Sequence, residues 1–117
     1  MKKLNESFIV EKKSKFYGYL FSLKNIEDVN KIISDLKIEH KKCKHIVFAY
    51  KIGNFVKKYE DKEPSNSAGK PILDVIEQKK LDNVLIVIVR YFGGILLGRG
   101  LLTRTYRKCA SMLMEQK

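Results

Sequence analysis

A chain of 117 residues with 44% hydrophobic content has material for one core, since domains typically run about 100 to 150 residues, and a core of that size needs no metal or disulfide staple. Its formal net charge of +11 and pI near 9.7 attract polyanions and anionic surfaces whatever the fold. Cys43 and Cys109 form no paired motif, the longest apolar stretch, Val84 to Gly98, is interrupted by Arg90, and the N-terminus MKKLNESFIV lacks the apolar core of a signal peptide, so a disulfide framework, a membrane span and export are not expected and a cytoplasmic location is.

In chain order, residues 5 to 12 and 14 to 23 read as two strands, the second with Tyr17, Tyr19, Phe21 and Leu23 alternating to one face and Gly18 at a bulge. Asn25 is placed to cap a helix that runs to about His40, with Glu27 and Asp28 in its first turn and Val29, Ile32, Ile33 and Leu36 at helical spacing. His45 to Lys51 is a third strand, Gly53-Asn54 a turn and Phe55 to Tyr59 a weak fourth strand. After a polar loop from Glu60 to Lys70, Pro71 is expected as the first residue of a second helix ending near Lys79-Lys80. Val84 to Val89 is a continuous apolar run suited to a strand buried on both faces. A glycine-bearing loop, Gly93 to Gly100, then leads to a last helix that buries Leu101, Leu102, Thr105, Tyr106, Cys109 and Leu113 and carries Arg104, Arg107 and Lys108 on its opposite face. No linker or repeat divides the chain, and one domain over residues 1 to 117 with no second domain is the expectation.

Charge is distributed unevenly by type. Residues 1 to 58 carry 14 basic and 6 acidic side chains, residues 59 to 117 carry 10 and 7, and all four arginines, Arg90, Arg99, Arg104 and Arg107, fall in one 18-residue window. Guanidinium binds phosphate or carboxylate bidentately where lysine does not, so Lys70, Arg90, Arg99, Arg104, Arg107 and Lys108 are the candidate anion- or RNA-binding side chains. Chance placement and internal salt bridges are the alternatives.

Several constellations stop short of chemistry. Gly93 and Gly98-Arg99-Gly100 approach a P-loop, yet Arg99 stands where the lysine belongs and Gly100 where a magnesium-binding hydroxyl belongs, while Ile95, Leu96 and Leu97 are too bulky for a loop wrapped on triphosphate. What survives is a helix N-terminus beside arginines, able to hold an anion on backbone N–H groups of Gly93, Gly94, Gly98 and Gly100, or else a tight turn whose Ile95 to Leu97 fill core. The loop before the second helix offers the same possibility at Ser65, Ser67 and Gly69. Ser67 and Lys70 have the spacing of a serine nucleophile and its lysine base, but Lys70 precedes a proline and is biased away from the helical turn that would bring them together. Glu60, Asp61 and Glu63 could supply paired carboxylates, although such groups in a lysine-bearing loop are usually solvated. His40, Cys43 and His45 have the residue types of a transition-metal site but lack a fourth ligand, so neither a metal nor another cofactor is expected. No aromatic ladder marks single-strand stacking.

Three segments, KSKFYGYL at 13 to 20, EPSNSAGKPIL at 63 to 73 and RYFGGILLGRGLLTRTY at 90 to 106, together resemble the IMPACT/YigZ-like family. Glu63, Pro64, Ser65, Gly69, Lys70, Arg90, Tyr91, Phe92, Gly93, Gly94, Gly98, Gly100, Arg104 and Tyr106 match its pattern. Lys62 and Asn66 stand where the family has glycines, Ser67 where it has threonine, Leu101 where a second glycine is usual, and His45 is what remains of a histidine pair. The resemblance implies an α/β, more narrowly α+β, domain like the second domain of a small-subunit ribosomal protein: a two-layer sandwich with a left-handed βαβ unit and helices on one face of a mixed sheet. It also implies translation-linked proteins, the eukaryotic members acting through a regulator of the kinase that senses amino-acid starvation and the bacterial ones suspected of binding nucleic acid, often with a second domain. The expectation is therefore a non-enzymatic module for RNA or a ribosome-associated protein or surface in translation regulation or stress response. A purely protein partner is the second reading and a hydrolytic enzyme the third.

Overall fold

The computed structural model describes residues 2–115. Five strands form one sheet: β1 (Lys2–Glu11), β2 (Ser14–Ser22), β3 (His45–Ile52), β4 (Phe55–Tyr59) and β5 (Val84–Tyr91), with helices α1 (Glu27–Glu39), α2 (Gly69–Gln78) and α3 (Arg99–Met112) between or after them. The spatial order is β1-β2-β5-β3-β4. The apolar run of β5 takes the centre, where both faces of a strand are covered, and Leu85 to Val89 are wholly buried.

Alternation along the strands sorts side chains into two cores. Ile86 and Ile88 join Phe16, Leu20, Val47, Ile72, Ile76, Leu102 and Tyr106 beneath α2 and α3. Leu85, Val87 and Val89 join Tyr19, Leu23, Phe48 and Tyr50 beneath Val29, Ile32 and Leu36 of α1. Helices thus cover both faces. The α+β class expected from the sequence holds, while two details differ: every strand pair is antiparallel rather than mixed, and α1 lies on the face opposite α2 and α3, giving three layers in place of two. The reason is that β5 and β3 are apolar at successive positions, so each face needs its own cover.

The topology also settles a question of hand. β2–α1–β3 and β4–α2–β5 each join parallel strands across one intervening antiparallel strand. They step across the sheet in opposite directions between strands of opposite direction, and their helices lie on opposite faces, so the two crossovers have opposite hands. One of them is left-handed, against the strong general preference for right-handed crossovers.

Local differences from the sequence reading have plain causes. The strand irregularity lies between Lys3 and Asn5, not at Gly18. Gly18 is instead a point of close approach, where a Cβ would stand 2.2 Å from the Ser7 hydroxyl and 3.0 Å from the Cys109 sulfur. Asn25 is not the cap of α1; Ile26 holds that position without a side-chain bond, and the Asp28 carboxylate accepts from the Asn25 N–H at 3.3 Å. Helix α2 begins at Gly69, two residues before Pro71, for a reason that belongs to the site.

A buried carboxylate cluster and a cationic helix face

The loop joining β4 to α2 turns three carboxylates inward or along the chain. Glu60 accepts hydrogen bonds from the backbone N–H groups of Ala68 at 2.9 Å, Gly69 at 2.7 Å and Lys70 at 3.3 Å. Those are the donors a helix leaves unmatched at its start, and a carboxylate there also meets the positive end of the helix dipole. This explains the early start of α2, and it corrects the expectation of an open anion site at Gly69, whose N–H the chain's own carboxylate takes, while the Ser67 N–H is bound to the Pro64 carbonyl. Ser67 donates to the Pro64 carbonyl at 2.5 Å, while the Lys70 ammonium is paired with Asp74. The serine and lysine engage separate partners.

Glu63 is the centre of the buried polar structure. Both of its oxygens accept from Arg90 Nη1, at 3.0 and 2.8 Å, the Tyr106 hydroxyl donates to Oε2, and His45 Nε2 stands 3.5 Å from Oε1. On its other side His45 is 3.6 Å from Asp61, which accepts from the Ile46 N–H at 2.8 Å and the Tyr59 hydroxyl at 3.2 Å. Strands β3 and β5, helix α3 and the loop are thereby tied at one point. Burial beside a carboxylate pushes the Tyr106 phenol well above its ordinary range. Arg90 is itself buried, its guanidinium lying 5.6 Å from the Phe16 ring centre, so it is withdrawn from the anion-binding surface to which the sequence window assigned it. With Nη1 bonded to both Glu63 oxygens and the side chain buried, this guanidinium is turned away from solvent and from any phosphate.

Two positions of this loop explain a departure noted in the sequence. Lys62 and Asn66, both standing where the family has glycine, adopt φ of +66° and +62°. In that region an L side chain is strained by about 1–2 kcal/mol, asparagine less than lysine, while glycine is not. Lys62→Gly is expected to stabilise the domain by up to about 1 kcal/mol in urea unfolding, net of the entropy glycine adds to the unfolded chain, and Asn66→Gly by less; equal or opposite changes at the two positions would contradict the strain argument.

The remaining candidate residues gather on α3. Arg99, Arg104 and Lys108 are exposed; Arg99 donates to the Ser65 carbonyl, linking the two loops. Arg107 reaches Asp74 at 3.6 Å, so one aspartate faces both Arg107 and Lys70. In the glycine loop, Gly94 and Gly98 take φ of +91° and +76°, and Gly100 lies in the first turn of α3 beside Arg104. A Cβ on Gly93 would stand 2.1 Å from the Lys13 carbonyl carbon and oxygen. That contact locks the loop to the β1–β2 turn. Of the apolar residues expected to fill core, Leu97 does, whereas Ile95 is 42% and Leu96 83% exposed.

His40, Cys43 and His45 border one cleft but turn to different partners. His40 is buried with its ring nitrogens 2.7 Å from the Tyr19 hydroxyl and 2.6 Å from that of Tyr91, His45 belongs to the carboxylate cluster, and burial raises the Cys43 thiol. Among the described residues no group of three or more His, Cys, Asp or Glu side chains is placed to hold a metal ion. No described helix is long and apolar enough to cross a membrane.

The sheet also assembles what the linear sequence did not display. Phe8 on β1, Tyr17 on β2 and Tyr91 on β5 lie in a row, with ring centres 4.8 and 5.7 Å apart. Only the strand register places them together, and the signal available beforehand was the aromatic alternation of β2.

These features define a basic α+β domain built around a buried Glu–Arg–Tyr cluster and a carboxylate-capped loop. The chain matches the Impact N-terminal domain over residues 12–114 and belongs to the IMPACT family. It is 37% identical over 114 residues to the IMPACT family member YvyE of Bacillus subtilis, covering 95% of this chain and 52% of that protein. Over 110 residues it is 32% identical to the IMPACT family member YigZ of Escherichia coli, covering 90% and 54%. A solved structure described as that of a hypothetical protein superposes with a TM-score of 0.88 at 29% identity over 98% of this chain and 59% of that one. The two-domain translational regulator Yih1 shares the fold, with a TM-score of 0.57 at 22% identity over 95% of this chain and 46% of that one. The chain thus spans about half the length of the bacterial relatives it matches.

Proposed function

We propose that this domain is a non-enzymatic module that binds RNA, including RNA presented on a ribosome-associated surface, in the regulation of translation. The observation that carries the reading is the outer face of α3, where Arg99, Arg104 and Lys108 remain exposed while Arg90 is spent on Glu63 and Lys70 and Arg107 share Asp74. Exposed guanidinium and ammonium groups on one helix face, in a +11 protein, suit a phosphate backbone. The translational setting rests on the family resemblance and on the description of its fold neighbour Yih1 as a translational regulator. The non-enzymatic reading is supported by the separate engagement of Ser67 and Lys70 and by the internal partners of Glu60, Asp61 and Glu63.

Charge reversal tests the face. Arg104→Glu with Lys108→Glu is expected to weaken RNA binding far more than Lys24→Glu with Lys37→Glu, two exposed lysines around α1, although the net charge changes equally. Neutralising about three phosphates should give a log–log salt slope of roughly −2 for single strands, at about 0.7 per phosphate. Equal losses would reduce the face to part of a diffuse field. A protein partner is the second reading, favoured by the 83% exposure of Leu96 beside Ile95. Nuclease-insensitive recovery of a ribosome-associated protein, abolished by Leu96→Ser and indifferent to Arg104→Glu, would put that reading first.

A further inference from the structure

The row of rings on the sheet runs out from under the C-terminal end of α1, where His40 packs against Tyr17 and Tyr91 with ring centres 5.4 and 5.6 Å apart. Helix α1 packs over β2, β5 and β3 through Tyr19, Val87, Val89 and Phe48, and beyond His40 the end of the sheet presents exposed Phe8, Val10 and Lys15 beside half-buried Tyr17 and Tyr91. Phe8 and Val10 are 46% and 50% exposed. Phe8 stands directly across from Tyr17, and Val10 from Lys15, which itself faces Tyr91 in the next pairing. Beside the row, Lys13, Lys15, Tyr17, Tyr91 and Phe92 line a cleft of about 330 Å³.

We infer that this end of the sheet is a stacking platform for the bases of single-stranded RNA, with Lys13 and Lys15 taking the flanking phosphates. The inference rests on the RNA reading above and narrows it to unpaired strands. Three physical points support that occupant. An aromatic face accepts any base by stacking, and a duplex cannot offer its bases to a sheet, so exposed rings beside cations select single strands. The charge at the cleft is of the right sign, since among the described residues Lys13 and Lys15 have no carboxylate within ion-pair distance; of the two acidic side chains bordering the rings, Glu6 of β1 is paired with Lys3 at 2.8 Å and Glu39 of α1 lies 3.3 Å from the His40 ring. The cations are also pre-placed. Lys12 and Lys13 both hold positive φ, +45° and +67°, in the two-residue turn between β1 and β2, and the absent side chain of Gly93 lets the β5–α3 loop close against the Lys13 backbone. A turn so braced fixes where the Lys13 side chain leaves the backbone, at the edge of the cleft.

The test uses a fluorescein-labelled single-stranded oligouridylate of about twelve nucleotides and inorganic polyphosphate as an anion without bases. Phe8→Leu with Tyr17→Leu keeps apolar bulk and charge while removing two ring faces, and is expected to bind the oligonucleotide about tenfold more weakly with an unchanged salt slope and unchanged affinity for polyphosphate. Because the chain has no tryptophan, Phe8→Trp introduces one fluorophore, whose emission should be quenched by the oligouridylate and not by polyphosphate, at an affinity equal to or above that of wild type. If wild type binds the oligonucleotide and the leucine variant binds it equally, with the indole emission unmoved, the platform is wrong and the RNA reading stands. If wild type binds no RNA, both fall. A wild-type dimer that the leucine variant turns monomeric, with RNA affinity unaltered, would show the sheet end to be covered by a second copy and would overturn the inference.

Discussion

Glu63→Ala is expected to lower the stability of the domain by about 3–5 kcal/mol, the range found when one partner of a buried ion pair is removed. The magnitude follows from what is left behind. Arg90 is 6% exposed and Glu63 7%, so the alanine variant strands a buried guanidinium and deprives the Tyr106 hydroxyl and His45 of their shared acceptor. The Nε of Arg90 already lacks a hydrogen-bond partner, which leaves little else to absorb the charge. Glu63→Gln should fall between wild type and alanine, since an amide oxygen still accepts from Tyr106 but does not neutralise Arg90. The double variant Glu63→Met with Arg90→Met should recover much of the loss, because removing both charges also removes their desolvation penalty. Urea unfolding of the four proteins decides the matter. A single-alanine loss below about 1 kcal/mol would mean that the pair is solvated in solution.

Alkaline solution should destabilise the fold through groups buried in their neutral form. Burial pushes the Cys109 thiol from its usual 9.0 up to about 11, with the Ser7 hydroxyl opposing the shift weakly. The folded state therefore holds the thiol proton more tightly than the unfolded state. Below about pH 9 both states keep that proton and the stabilisation is whole; as pH rises the unfolded thiol ionises first, and stability drains away until the folded thiol also ionises near pH 11. Two pKa units correspond to about 2–3 kcal/mol. Tyr106, raised by burial and by Glu63, adds a loss in the same direction above its ordinary value of 10. Urea midpoints measured in steps from about pH 8 to pH 11 should be level and then fall. Cys109→Ala, though less stable at the start, should fall less steeply between 9 and 10, and Tyr106→Phe less steeply above 10. Slopes identical to wild type in both variants would assign the alkaline loss to other groups.

Much of the architecture was legible in one dimension because its causes are local. Alternation in β2, the apolar run of β5 and the helical spacing of Val29, Ile32 and Leu36 each report which face of an element is buried, and period alone carries that information. The strong family motif made the α+β class legible as well. Boundaries slipped where a distant group intervened: α2 starts at Gly69 because the Glu60 carboxylate, eight to ten residues upstream, caps its N–H groups.

The candidate site divides along the same line. The amino-acid sequence by itself determined a strongly basic chain with its arginines concentrated around one loop and helix, and it marked Lys62 and Asn66 as departures at glycine positions; the one core it led us to expect is two, one on each face of the sheet. Only the tertiary structure decided which charges remain available, since ion pairing depends on distance in space: Arg90 meets Glu63 across 27 residues and is lost to the surface, Arg107 shares Asp74 with Lys70, and Arg99, Arg104 and Lys108 make no ion pair among the described residues. It likewise decided that α1 ends before it covers Phe8 and Val10, and that Phe8, Tyr17 and Tyr91, from three strands, meet at that end. No periodicity encodes such a row, because its members are brought together by strand register, which long-range packing determines.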